Sequence, residues 1–271
     1  MNHSSAPAAG VDTDSGGGAN PLSVHINADA RQVWVMLREP AKVAQWHGWD
    51  YDGLAEEIRL IYFSPGVAEG PDHLSLTLED GDTFRLTPGP DGTEVTLERG
   101  RPEPGSDLSD WYEDITEGWI SFLQQLRFAL ERHPNTNRHT AFFSGSPADG
   151  LAIADRVGAA AVGDPGDSYA LTLPGGQELT GRVWFRTERQ LGLTVAQYAE
   201  HGDGLLILAE QPLTDGVRDE PSAMVIASTY ELGARALHEV WDGWEAVRRD
   251  HYPNADPLVT STLVRRGKAA P

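Results

Sequence analysis

The chain has 271 residues, 39% of them hydrophobic, and 41 acidic against 21 basic side chains give it a formal charge of -20. Nucleic acid and anionic membranes are excluded as partners, since both require a basic face, and the acid excess reads first as a solubility device. Without a single cysteine there is no disulfide framework, thiol nucleophile or thiolate metal site, which fits a reducing cytoplasm.

The length suits one large domain or two small ones, and 29 glycines with 18 prolines imply many turns. Residues 1–20, MNHSSAPAAGVDTDSGGGAN, have neither the basic start nor the apolar stretch of a signal peptide and read as a disordered tail. No apolar run approaches the roughly 20 residues that span a bilayer, so the expectation is a soluble cytoplasmic protein. From Leu22, LSVHINA alternates as a strand. DARQVWVMLREPAKVAQW then sets Ala30, Val33, Trp34 and Leu37 at helical spacing, with Asp29 as N-cap and Pro40 separating a second short helical piece that runs towards Trp46. EEIRLIYF, HLSLTLED, DTFRLTPG and TEVTLERG read as strands by composition, with hairpin turns at residues 79–82 and 90–92.

The longest amphipathic segment runs from Ser106 to His133. Trp111, Ile115, Trp119, Phe122, Leu126 and Leu130 recur there at steps of three and four and form one apolar face. Asp107, Asp110, Glu113, Asp114 and Glu117 crowd its start and Arg127 and Arg132 its end, as the helix dipole favours. Asp110 with Glu113 has capping-box spacing, and Pro134 stops the helix. At about 38 Å such a helix needs a broad surface to lie on.

The same order then repeats. RHTAFFSG is strand-like and PADGLAIADRVGAA a short helical region; SYALTLPG, ELTGRVWFR, LGLTVAQYA, GLLILAEQ and SAMVIAST follow as strands. A second long helix is predicted over STYELGARALHEVWDGWEAVRRDHYP, with Ser228 and Glu231 as capping box and Tyr230, Ala234, Leu237, Trp241, Trp244 and Val247 on one face. Both long helices carry a Gly-Trp pair, Gly118-Trp119 and Gly243-Trp244, and both end before Pro-Asn. The reading is therefore α+β, two diverged copies of one domain at 21–134 and 139–253, with a mobile tail at 254–271. A single large sheet is the competing arrangement.

At Ala30-x-x-Val33-Trp34-x-x-Leu37, followed by Pro40 and Trp46 and closed by Gly118-Trp119 with Leu123 and Leu126, the first half resembles the START-like, or Bet v 1-like, superfamily (SRPBCC group). Its nearest branch is the one named after the activator of Hsp90 ATPase. Gly181-Arg182-Val183 followed by RQLGLTVAQY is similar to the central strands of that branch, whereas LAIADRV stands where the second copy should repeat the Val-Trp signature. The resemblance implies a helix-grip fold, an antiparallel curved sheet wrapped around a long C-terminal helix. The cavity between them takes lipids, sterols, polyketides or other apolar molecules in family members and is catalytic in polyketide cyclases and aromatases.

Three functions are thus in play: binding of a small apolar or amphipathic ligand, cyclase- or aromatase-like catalysis in the same cavity, and a co-chaperone-like encounter with a protein partner. Ligand-lining candidates are Trp46, Trp49, Trp111, Ile115, Trp119 and Phe122 in the first copy and Trp184, Tyr198, Trp241 and Trp244 in the second. An aromatic stripe at this spacing is more often plain core than a ligand wall. His47, Asp50 and Tyr51, in the run Trp46-His47-Gly48-Trp49-Asp50-Tyr51-Asp52, are the acid-base candidates, because an imidazole beside a carboxylate titrates in the useful range. Glu113, Asp114 and Glu117 have the types of paired catalytic carboxylates, but their place in the first turns of a helix is sufficiently explained by its dipole. Phosphate-loop, nucleophile-elbow, H-E-x-x-H and dinucleotide-type glycine motifs are absent, and the nine histidines are scattered, so neither a metal nor a cofactor is expected.

Overall fold

The computed structural model describes residues 22–101, 111–214 and 217–261. The first unit opens with β1 (Leu22–Ile26), α1 (Ala30–Arg38), α2 (Pro40–Val43) and α3 (Leu54–Phe63). It continues through β2 (Ala68–Glu69), β3 (Ser75–Thr77), β4 (Thr83–Gly89) and β5 (Gly92–Glu98) to the long helix α4 (Tyr112–Arg132). Asp29 caps α1 through the backbone N–H of Gln32, whose side chain returns the bond, so the predicted start is met by a complete capping box. The two-residue turn Pro90-Asp91 closes the β4–β5 hairpin with Gly89 opposite Gly92.

EEIRLIYF is not a strand. It forms most of α3, because Leu54, Ile58 and Tyr62 at steps of four bury one face while Glu56, Arg59 and Leu60 face water. Of the predicted helix from Ser106, residues 106–110 lie outside the described residues, Asp110 among them, and no side chain caps α4 at Trp111.

The second unit runs β6 (Arg138–Gly145), α5 (Ile153–Arg156), β7 (Ser168–Thr172), β8 (Glu178–Arg186), β9 (Gln190–Val195), β10 (Gly204–Gln211), β11 (Ser222–Tyr230), α6 (Ala234–His251) and β12 (Val259–Thr260). Two sequence expectations fail here. The Ser228–Glu231 capping box does not form, because β11 continues through Tyr230 as a fully buried strand and α6 begins only after Gly233. The stretch from 254 is not a mobile tail as far as Ser261: β12 pairs antiparallel with β6, and Leu258, Thr260 and Ser261 are buried.

The strands form two sheets rather than one, ordered β1-β5-β4-β3-β2 and β12-β6-β11-β10-β9-β8-β7. Every ladder among the described residues is antiparallel, and in both sheets the unit's first strand pairs with the last strand before its long helix while the others step back in sequence order, β12 adding to the far side of β6. A long helix follows that last strand in each case, which is the helix-grip connectivity.

α4 is buried between the two sheets. One side brings Trp119 to Phe84 of β4. The other sends Ser121 to Gln190 of β9, Gln125 to Ser228 of β11 and Phe128 against Trp184 of β8. The second sheet is therefore covered on both faces. Leu205, Ile207, Met224 and Ile226 join the core that contains α4, while the alternate residues Leu206, Leu208, Val225 and Ala227 join the core under α6. This explains the unbroken apolar runs of β10 and β11, which alternate only where one face meets water. No described helix is long and apolar enough to cross a membrane.

Candidate functional site

The run from Trp46 to Tyr51 leaves the end of the α2 turn and crosses to α3. Trp46 is fully buried and donates its Nε1–H to the Met36 carbonyl at 2.9 Å, which anchors the run in the core. His47 follows at 2% exposure, and Gly48 takes a left-handed φ of 55°, which turns the chain at little cost without a Cβ. Around the imidazole lie Phe122, Tyr62, Trp46 and Trp119, with ring centroids at 4.8, 5.2, 5.9 and 6.0 Å.

Both ring nitrogens have polar neighbours. The Tyr62 hydroxyl lies 2.9 Å from Nδ1, and the Glu57 carboxylate lies 3.5 Å from Nε2. The tautomer that serves both carries its proton on Nε2 and accepts the Tyr62 O–H at Nδ1. Glu57 also accepts the Tyr51 hydroxyl on its other oxygen. A continuous chain Tyr62–His47–Glu57–Tyr51 thus leads from a fully buried phenol to the surface, where the Glu57 side chain is 38% exposed.

The electrostatics follow the contacts. The bond from His47, aided by that from Tyr51, holds Glu57 below the ordinary carboxylate value in spite of partial burial. Burial, then the Glu57 carboxylate, pushes the Tyr51 phenol up to about 12. Complete burial drives Tyr62 well above its usual range. At neutral pH the chain holds one carboxylate and two neutral phenols, with the imidazole between its buried and exposed ends.

Asp50 does not join this relay. Its N–H donates to Thr140 Oγ1 at 2.6 Å and its carboxylate accepts the Thr140 N–H at 2.9 Å, so it clamps the run onto β6. Trp49 stacks on Phe142 of the same strand, with centroids 3.5 Å apart and planes 2° from parallel. Of the remaining lining candidates, Trp111 and Ile115 are exposed at the start of α4, and Trp119 and Phe122 continue their stripe inward to His47.

The second-unit candidates do not gather round such a group. Trp184 is buried against Phe128 and beneath Arg127. Trp244 and Tyr198 are fully buried, and the indole N–H of the first donates to the hydroxyl of the second at 2.7 Å. Trp241 lines a groove of about 270 Å³ with His238, Asp242 and Pro257. A larger groove, about 1050 Å³, lies at the other end of α4 between the β1–α1 loop, the β4–β5 hairpin, Arg127 and Glu131, and none of the predicted residues lines it. Sequence reasoning missed Glu57 and Tyr62 because α3 was read as a strand; the four-residue spacing of Leu54, Ile58 and Tyr62 was the signal that places both on one helix.

No protein-family model and no curated protein matches the chain. Among solved structures it is similar to DynU16, from the dynemicin biosynthetic locus, at 17% identity over 80% of this chain and 87% of that one, with a TM-score of 0.28. It is also similar to the di-domain ARO/CYC StfQ of the steffimycin biosynthetic pathway, at 12% identity over 83% and 88% and a TM-score of 0.31. At such TM-scores the likeness adds nothing to the connectivity of the two sheets, on which the fold rests.

Proposed function

We propose that the chain binds a small apolar or amphipathic molecule in the first unit, with the polar end of the ligand at His47 and Glu57. The observation that carries this reading is a buried imidazole enclosed by four aromatic rings yet linked through Glu57 to the surface. Packing alone would be served by a leucine or phenylalanine at that position, whereas an imidazole loses hydration and must recover it through specific partners. The stripe Trp111, Ile115, Phe122 supplies an apolar approach that begins in solvent and ends at the ring. Two tandem START-like units at about 21–134 and 139–253 are part of this proposal, supported by the shared connectivity. The branch named after the activator of Hsp90 ATPase rests on sequence resemblance alone.

Native mass spectrometry on gently purified protein tests the reading. The expected result is one excess mass per chain, lost in a folded Phe122→Asp variant. Equal masses in the native and denatured states, with tryptophan fluorescence unmoved by a panel of fused-ring aromatic and long-chain compounds, would overturn it. A second reading, acid-base catalysis of the cyclase type, is favoured by the Tyr62–His47–Glu57–Tyr51 chain itself. There Glu57 accepts a proton from the bound molecule and Tyr51 or His47 returns one. In that case the compound recovered after incubation is chemically altered, and Glu57→Gln abolishes the alteration while binding persists.

A further inference from the structure

Resting on that reading of the His47 site, we propose that the second unit serves the first as its support, with Arg138 of β6 as the residue that positions the His47 turn. The end of a helical turn leaves carbonyls without partners in the helix, and here they are buried. Arg138 is 4% exposed and its guanidinium donates to the carbonyls of Ala44 at 3.1 Å and His47 at 3.0 Å. Gln125 of α4 donates to those of Trp46 at 3.0 Å and Gly48 at 3.3 Å. Arg138 also donates to the Gln125 side-chain oxygen at 2.7 Å, so one cation orients the amide that holds the other two carbonyls. Among the described residues no carboxylate is a hydrogen-bond partner of its guanidinium, and the carbonyls of the turn take that place.

The contact extends along the strand with the two-residue period of a sheet face. Arg138, Thr140 and Phe142 meet, in turn, the carbonyls of Ala44 and His47, the N–H of Asp50 and the ring of Trp49. The backbone N–H of Arg138 adds a bond to Gln45 Oε1 at 2.7 Å. Four residues of the run, Ala44, Gln45, His47 and Asp50, are thus hydrogen-bonded to one strand of the other unit, and a fifth, Trp49, stacks on it. The residues on the opposite face of that strand, Ala141 and Phe143, belong to the core under α6, so the strand itself is held from behind.

The test uses the full chain, ligand-free, with ¹⁵N-labelled histidine. Arg138→Lys keeps the charge but cannot span two carbonyls and an amide in one plane. Its folded state, checked by circular dichroism, should show His47 ring ¹⁵N shifts moved towards the averaged tautomers of a solvated imidazole. Thr140→Val, which loses only the Asp50 clamp, should move the same signals in the same direction by less. Unchanged ring shifts in a folded Arg138→Lys chain, or in Thr140→Val if the first variant does not fold, would overturn the positioning role. Because the shifts are read without ligand, a wild type that binds nothing sinks the binding reading and leaves this result to stand or fall by itself.

Discussion

Trp119 and Trp244 occupy matching places, each just after a glycine on the long helix of its unit, and each is buried under its own sheet. Their surroundings differ. Trp119 packs edge-on against Phe84 and Phe122 and forms one wall around His47, whose polar contacts continue to the surface. Trp244 packs against Phe143 and closes its only polar atom onto Tyr198. The first grip keeps an ionisable group in contact with solvent through a relay, while the second has turned the equivalent space into a sealed core. One framework thus carries a buried imidazole in one unit and a closed Trp-Tyr pair in the other, and the difference lies in which side chains surround the same place on the long helix.

Four substitutions sharpen or break that contrast. The largest effect is expected from Phe143→Ala, which opens a cavity beside Trp244 and Tyr252 and should lower urea-measured stability by about 3–5 kcal/mol. The molecules that remain folded should still carry one ligand mass; a second ligand in the new space would show the second grip to be a latent site. Trp244→Phe removes the donor to Tyr198 and should cost about 1–3 kcal/mol with no change in ligand uptake. If uptake fell in proportion to stability, the assignment of the site to the first unit would be lost.

Tyr62→Phe deletes the partner of His47 Nδ1 and should cost only about 1 kcal/mol, yet alter the tautomer signature of His47 and the strength of ligand binding. An unaltered signature would reduce the relay to packing. The smallest effect is that of pH on Glu57. Its folded-state pKa is depressed from 4.5, so its contribution is fully present above that value and is lost as pH falls through the folded pKa below it. With the side chain partly in solvent the contribution is on the order of 0.5 kcal/mol. The stability gap between wild type and Glu57→Gln should therefore close as pH drops below 4.5 and stay constant above it; a gap that widened in acid would contradict the contacts drawn for Glu57.

Particular residues show what could be read in advance. The capping box at Asp29, the Pro90-Asp91 hairpin and the apolar face of α4 are local patterns, and each was legible because its partners lie within a few residues. The run from Trp46 to Tyr51 was legible as unusual, and His47 with Tyr51 does meet a carboxylate. Which carboxylate was not, because Glu57 lies on an element whose i, i+4 spacing lost to its β-rich composition. Ser228 and Tyr230 carry good capping and helical spacing and are strand all the same, since β11 is buried along its whole length and pairs on both sides.

By itself, then, the sequence determined the mixed α+β composition and the two long amphipathic helices, because periodicity and punctuation are short-range properties. Only the tertiary structure decided that α4 lies between two sheets, that Asp50 is a clamp rather than an acid, and that Arg138 and Gln125 hold the turn bearing His47. Those contacts join residues about 80 to 95 positions apart, and a side chain carries no local mark of the backbone carbonyl it will meet across such a span.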